Sequence, residues 1–174
     1  KIPKESRYAM AYKEATHLIN KHKHIAIVTH IMPDGDALGS ALALGAALKG
    51  MGKKVTVLNQ DGVPDRYKFL VDNGDVCIHT QHHGCALLIA VDCSDIDRLG
   101  DNFVPLFKNA QDTVNIDHHK SNTLYADINI VETDCGATGE IVYKLIEQLP
   151  VDMNKYMAEC LFVALSTDTG SFSY

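Results

Sequence analysis

The sequence predicts an α/β domain, a mostly parallel five-stranded sheet flanked by helices on both faces. Three observations predict it. Short apolar runs recur along the chain, with Cys85-Ala-Leu-Leu-Ile-Ala-Val91 the strongest, and continuous runs of this kind suit parallel strands buried on both faces. Stretches of helical periodicity separate them, the alternation expected of βαβ units. A length of 174 residues is enough for one such domain with a substantial core.

In chain order, residues 8–21 place Met10, Ala11, Ala15, Leu18 and Ile19 at near-helical spacing and read as a surface helix over the sheet. Lys21-His-Lys-His24 closes it with cations where the helix dipole favours them, and His22 and His24 read as solvated. Ile25-Ala-Ile-Val28 is the first strand. Pro33 and Gly35 build the turn after it, and residues 37–51, nearly all Ala, Leu and Gly, form a helix buried on most sides. In the simplest reading of that turn, Asp36 is the helix N-cap.

Gly50 and Gly52 end this helix, and Lys54-Val-Thr-Val-Leu58 is the second strand. A turn at residues 61–65 leads to a short helical piece at 67–70 and a candidate short strand at 76–79. Gln81-His-His-Gly84 reads as an exposed loop. Residues 85–91 make the central strand, after which Asp95 caps a single helical turn ending at Gly100. Residues 102–110 read as a short helix broken near Pro105. Thr113-Val-Asn-Ile116 is a further strand, and Ala126-Asp-Ile-Asn-Ile130 alternates as an edge strand should. Residues 136–149 form an amphipathic helix with Ile141, Val142, Leu145, Ile146 and Leu149 inward, stopped by Pro150. Residues 154–167 form an apolar helix that carries Thr167-Asp-Thr-Gly170 at its end.

Composition narrows the function classes. A net charge of −6 argues against broad binding to a nucleic-acid backbone, but leaves room for a local phosphate site. No apolar run reaches membrane-span length, and the start, Lys1-Ile-Pro-Lys-Glu-Ser6, lacks the apolar segment of a secretion signal. Cys77, Cys85, Cys93, Cys135 and Cys160 are scattered without a CxxC pair. They read as reduced thiols of a cytoplasmic protein, and none is given a role. A first residue other than Met reads as excision from something longer. No internal repeat, low-complexity segment or linker is found.

The chemistry gathers at strand ends. His30, Asp34 and Asp36 follow the first strand, Asp92 the central one, and Asp117, His118 and His119 the strand at 113–116. Any one of these reads as a cap or a solvated residue. Their recurrence at the edge where open α/β sheets bind ligands does not. Asp168 joins them from the end of a buried helix whose dipole opposes it, a conflict that a facing cation removes. Four carboxylates (Asp34, Asp36, Asp92, Asp168) converging without partners repel. Two divalent ions balance their charge. His30 and His118 complete a nitrogen/oxygen shell that suits Mn2+ better than Ca2+ and also admits Mg2+, Co2+ or Zn2+. A bridging carboxylate lets two ions sit ~3.5–4 Å apart, the separation used to activate water against phosphoesters. His119 is expected to leave the strand in a different direction from His118 and to be free to bind or protonate phosphate.

Four motifs carry a resemblance: His30-x-x-x-Asp34-Gly-Asp36-x-x-Gly-Ser40, Val91-Asp-x-Ser-Asp-x-x-Arg-Leu-Gly100, Asp117-His-His-x-x-Asn122 and Thr167-Asp-Thr-Gly-x-Phe172. Together they resemble the motif set of the DHH phosphoesterase superfamily. Their wording is nearest the nanoRNase branch, whose oligoribonucleases also dephosphorylate 3′-phosphoadenosine 5′-phosphate. The resemblance implies a manganese-dependent exonuclease-type hydrolase acting on short oligoribonucleotides, on that nucleotide, or on both. It implies His30 and Asp34 on one ion, Asp36, His118 and Asp168 on the other, and Asp92 bridging. It also implies His119 on the scissile phosphate, with Asp117, Arg98 and Asn122 as supporting or phosphate contacts.

Three rival readings share these motifs. A family II inorganic pyrophosphatase has the same metal set but usually Thr between the aspartates, where Gly35 stands here. A cyclic dinucleotide phosphodiesterase domain and a nucleotide-binding module that senses without cleaving are the others. Members of the superfamily also carry a DHH-associated domain with a Gly-rich, basic substrate loop. The sequence stops at Tyr174, just past the fourth motif, so residues 1–174 read as a DHH catalytic domain without that partner. Expected partners are an oligoribonucleotide or phosphorylated nucleotide, the associated domain and a second copy of the chain, with no membrane.

Overall fold

The computed structural model describes residues 4–72, 74, 76–81 and 84–171. The elements in chain order are α1 (Lys4–Lys21), β1 (His24–Thr29), α2 (Gly35–Gly50), β2 (Lys54–Leu58), α3 (Phe69–Asp72), β3 (Ile78–His79), β4 (Leu87–Val91), α4 (Val104–Lys108), β5 (Asp112–Asp117), β6 (Ile128–Val131), α5 (Thr138–Ile146) and α6 (Lys155–Asp168). Single 3-10 turns lie at Asp65–Tyr67 and Ile96–Leu99.

One sheet runs in the order β3-β2-β1-β4-β5-β6, each neighbouring pair parallel. Among the described residues it has six strands rather than the expected five. The addition is β3, whose Ile78 and His79 stand beside Val57 and Leu58 of β2. It lies within the candidate short strand at residues 76–79, left out of the five because two residues are too few to display a periodicity.

The two faces of the sheet are covered unequally. Alternate residues Ile25, Ile27, Leu87, Ile89, Val114 and Ile116 pack into one large core with α1, α2, α5 and α6. Their neighbours Ala26, Val28, Leu88 and Ala90, with Leu58 of β2, pack against Cys93, Leu99, Phe103 and Phe107, a smaller core under α4.

Among the described residues, α2 and α6 form the most extensive helix–helix contact. Small residues let them approach: a Cβ on Gly39 would collide with the carbonyl oxygen of Cys160, and one on Gly35 with the Thr167 side chain. Because Gly35 meets Thr167 while Gly39 meets Cys160, the helices run antiparallel. The end of α6, with Asp168, therefore lies beside the start of α2, with Asp34 and Asp36.

Several local expectations are corrected. Asp34, not Asp36, is the N-cap of α2, accepting from the Ala37 amide at 3.0 Å, and Asp36 sits inside the first turn. Pro105 helps to open α4 rather than breaking a helix, because an amide in the first turn has no intrahelical partner to lose. Met10 is 51% exposed, and Tyr12 takes an inward position on α1 instead. His22 is buried rather than solvated, its Nε2 2.6 Å from Asp112 of β5. His24 is exposed, as expected. His82, His83 and Phe172 lie outside the described residues. Among the described residues no helix is long and apolar enough to cross a membrane.

Candidate metal centre

Parallel pairing brings the carboxyl ends of β1, β4 and β5 to one edge. Past Thr29, β1 delivers His30, whose carbonyl accepts from Asn59 Nδ2 at 2.7 Å while the same amide reaches Thr29 Oγ1 at 2.8 Å. Past Val91, β4 delivers Asp92 in a left-handed conformation (φ 56°), which Asp adopts more readily than most residues. The Asp92 amide is tied to Ile116 O of β5 at 2.9 Å. β5 ends on buried Asp117, with His118 and His119 next. The start of α2 adds Asp34 and Asp36, and the end of α6 adds Asp168.

The six residues expected as ligands are brought together. Asp36, His118 and Asp168 form one group with ligand atoms within 4.8 Å of one another, and His30, Asp34 and Asp92 form a second. Asp92 belongs to the second group and also to a third with His118 and His119. His118 Nε2 lies 3.1 Å from Asp168, 3.8 Å from Asp36 and 3.9 Å from Asp92. His30 Nε2 lies 3.6 Å from Asp92 and 3.9 Å from Asp34. Each group can hold a divalent ion.

Hydrogen bonding leaves the same nitrogen of each imidazole available. His30 Nδ1 is 2.7 Å from Ile31 O and 3.2 Å from Arg98 Nη2, and His118 Nδ1 is 3.3 Å from Cys135 O. Nδ1 is thus engaged in both rings, and the Cys135 carbonyl assigns the His118 proton to Nδ1 in the neutral ring. The buried His118 Nε2 makes no hydrogen bond of acceptable geometry, even to Asp168. An orphaned imidazole nitrogen among three carboxylates is what a divalent ion fits, with the carbonyl behind it orienting the ring.

Electrostatics agree. Burial and the charge of Asp92 hold the Asp36 carboxyl well above the usual range, despite amide hydrogen bonds that pull it down. Burial lowers His118, but Asp168, Asp36 and Asp92 outweigh it and push the imidazole up to about 9. His30 is raised in the same way, with Asp92 overcoming its burial. Without an ion, the cluster draws protons onto its histidines to offset its own negative charge.

His119 was expected to leave the strand in a different direction from His118, yet the two ring centroids lie 4.5 Å apart, edge to face, and both rings fall in one group with Asp92. What separates them is hydrogen bonding. His119 Nδ1 is 2.7 Å from Asp117 Oδ1, which raises the imidazole, and the other oxygen of Asp117 accepts from Asn122 Nδ2 at 2.7 Å. Asn122 also reaches the buried Asn115, so this histidine is braced from within the core. Arg98 is exposed, its Nη2 3.2 Å from His30 Nδ1 at the rim.

Sequence reasoning missed Thr138 and Asn115. Thr138 is fully buried and donates from Oγ1 to Asp92 Oδ1 at 2.8 Å. Its amide and that of Gly139 donate to Asp36 at 2.6 and 2.9 Å. One signal could have found Thr138: α5 starts after Ala137, a poor N-cap with no side-chain acceptor, so its first amides had to be satisfied from elsewhere.

A family profile described as "DHH family, N-terminal domain" matches residues 24–165. The chain is 33% identical over 153 residues to the bifunctional oligoribonuclease and PAP phosphatase NrnA of Thermus thermophilus, covering 86% of this chain and 44% of that one. It is 27% identical over 164 residues to a probable bifunctional oligoribonuclease and PAP phosphatase NrnA of Streptococcus mutans, covering 94% and 51%. It thus spans about half the length of these curated relatives. Among solved structures, an exopolyphosphatase-related protein from Bacteroides fragilis superposes with a TM-score of 0.85 at 26% identity, over 95% of this chain and 52% of that one.

Proposed function

This chain belongs to the DHH family, and on that premise we propose that it is a metal-dependent phosphoesterase hydrolysing short oligoribonucleotides, 3′-phosphoadenosine 5′-phosphate, or both. The observation that carries the reading is the overlap of three ligand groups around Asp92 and His118. In this proposal His30 and Asp34 hold one divalent ion, Asp36, His118 and Asp168 hold the other, and Asp92 lies between them. Manganese is the ion first in line, with magnesium and cobalt compatible with the same donor set. Bound there, the ions supply Lewis-acid polarisation of the phosphoryl oxygens and a lowered pKa for water.

The chain's own residues do the rest. Asp117 holds the His119 ring by Nδ1, leaving Nε2 to face a phosphate and to donate a proton to it, which the raised pKa of this imidazole favours. Arg98, at the rim beside His30, is assigned a second phosphate oxygen. Residues 1–174 are read as the catalytic domain, with grip on a base or second nucleotide left to an associated domain. The names of the curated relatives support the substrate class, and Gly35 supports the nuclease branch over a pyrophosphatase. The Thr usual there in pyrophosphatases would strike Thr167.

The test is release of nucleoside monophosphate from a dinucleotide, and of phosphate from 3′-phosphoadenosine 5′-phosphate, with Mn2+ and after chelation. Metal-dependent release of either product is expected, with inorganic pyrophosphate left intact. Tight ion binding with no turnover of either substrate, nor of a generic activated phosphodiester that needs no grip on a base, would make the domain a sensing module instead.

A further inference from the structure

The helix α5 starts without a cap of its own. Ala137 at the N-cap position has no side chain that can accept, and the first amides of the helix point at Asp36, a residue about a hundred positions earlier in the chain. The carboxylate is thus an N-cap supplied by another helix, and α5 in return directs the positive end of its dipole at the carboxylates of the cluster. Thr138, at the first helical position, takes part twice. Its amide holds Asp36 Oδ2 at 2.6 Å and its hydroxyl holds Asp92 Oδ1 at 2.8 Å. Asp36 and Asp92 repel each other, and one residue grips both.

We infer that Thr138 is a positioning residue of the metal centre, its hydroxyl orienting Asp92 so that the two carboxylate oxygens face the two ion sites. The inference rests on the metal reading above. Asp92 Oδ2 faces His30 at 3.6 Å, and Oδ1 faces His118 at 3.9 Å. Rotation of the carboxylate would remove one oxygen from one of these groups. The hydroxyl proton on Oδ1 opposes that rotation, and it also offsets part of the charge that Asp36 and Asp92 present to each other. Asp36 is secured separately, by both α5 amides and by Ser40 Oγ at 3.0 Å, none of which depends on the Thr138 side chain. The hydroxyl therefore acts on Asp92 alone and can be tested by itself.

A purely structural Thr138 makes the opposite prediction. The residue is fully buried at the start of a helix, and if it only fills space there, its methyl group matters and its hydroxyl does not. Thr138→Val keeps the β-branched shape and loses the hydroxyl, and Thr138→Ser does the reverse. The experiment is titration of each metal-free variant with Mn2+ alone, followed by calorimetry and by the spin-resonance signal of free ion. Circular dichroism and thermal unfolding without metal check the fold. Loss of a residue that orients a ligand typically costs about 10–100-fold in affinity, and that loss is expected for the Val variant, with Ser close to wild type.

Wild-type Mn2+ affinity in the Val variant, or a Ser variant that binds more weakly than Val, overturns the inference. If the Val variant does not fold, Thr138→Ala against Thr138→Ser isolates the same hydroxyl. Equal Mn2+ affinity in that pair overturns the inference too. A wild-type chain that binds no Mn2+ overturns the metal reading itself, and the inference with it.

Discussion

At the amino ends of the strands, Asp112 of β5 meets Lys21 at 2.7 Å and His22 at 2.6 Å, and Lys53 gives its ammonium to the carbonyls of Asn20 and His22. Exposed Lys23, His24 and Lys54 stand nearby. At the carboxyl ends of the same strands, Asp36 and Asp92 are buried within reach of Asp34 and Asp168, and the nearest positive groups are imidazoles. One edge settles its charge by pairing and solvation. The other buries like charges together, in a strained backbone at Asp92, and offsets them with protons, helix dipole and amide donors. A fold driven by stability alone has no reason for the second arrangement, since a buried carboxylate without a cation costs several kcal/mol. The contrast marks the carboxyl edge as the place where stability is traded for chemistry.

The contrast breaks most completely at Asp92. Asp92→Asn should abolish Mn2+ binding at both sites, and Asp34→Asn should empty only one, as read by bound metal per chain. Asp112→Asn at the opposite edge should leave metal content unchanged. Full occupancy in the Asp92 variant would remove this residue from between the ions.

Next in size is the division between the two histidines. His118→Ala should weaken metal binding. His119→Ala should keep the ions and lose ~10²–10³-fold in turnover, the usual cost of one positioned donor to developing charge. Metal analysis beside single-turnover rates separates the two effects, and equal metal loss in both variants would show the division to be wrong.

Gly39→Ala probes how α6 reaches the site. Ala favours a helix by about 1 kcal/mol over Gly, but its Cβ would meet the Cys160 backbone, and overpacking costs about 1–3 kcal/mol. Net destabilisation in urea is expected, with weaker Mn2+ binding as Asp168 moves from Asp36. A stabilised variant with unchanged metal affinity would show that this helix pair tolerates separation.

The smallest effect belongs to the paired edge. Hydrogen bonds from Lys21 and His22 hold Asp112 below the usual carboxylate range. A lowered acid stabilises the fold at pH values above its unfolded pKa, and the contribution is lost as pH falls through its folded pKa. Asp112→Asn should thus cost less than about 1 kcal/mol near neutrality, as partly exposed pairs do, and nothing in strong acid. Unfolding midpoints of the two proteins across pH should converge at the acid end. A gap that widens there would reverse the assignment.

Much of this was legible from local pattern. The run at residues 85–91 could only be a buried strand, and parallel strands put whatever follows them at a common edge, so Asp92, His30 and the Asp117-His118-His119 run could be gathered before any coordinates. The chemistry of the ligand types followed from their recurrence. The two-residue β3 was not secured, because so short a strand exists only by virtue of its neighbour. His22 looked solvated because its partner Asp112 is 90 positions away.

The sequence by itself determined the fold class and the kind of side chain at each strand end, since both follow from periodicities of a few residues. Tertiary packing decided the rest. It brought Asp168 to Asp36 through the close approach of α2 and α6 at Gly35 and Gly39, and it folded both histidines over one edge. It also set Thr138 against Asp92 across 46 residues of chain. Such contacts depend on how helices dock on the sheet, and docking is governed by the shapes of whole faces, which no short stretch of sequence encodes.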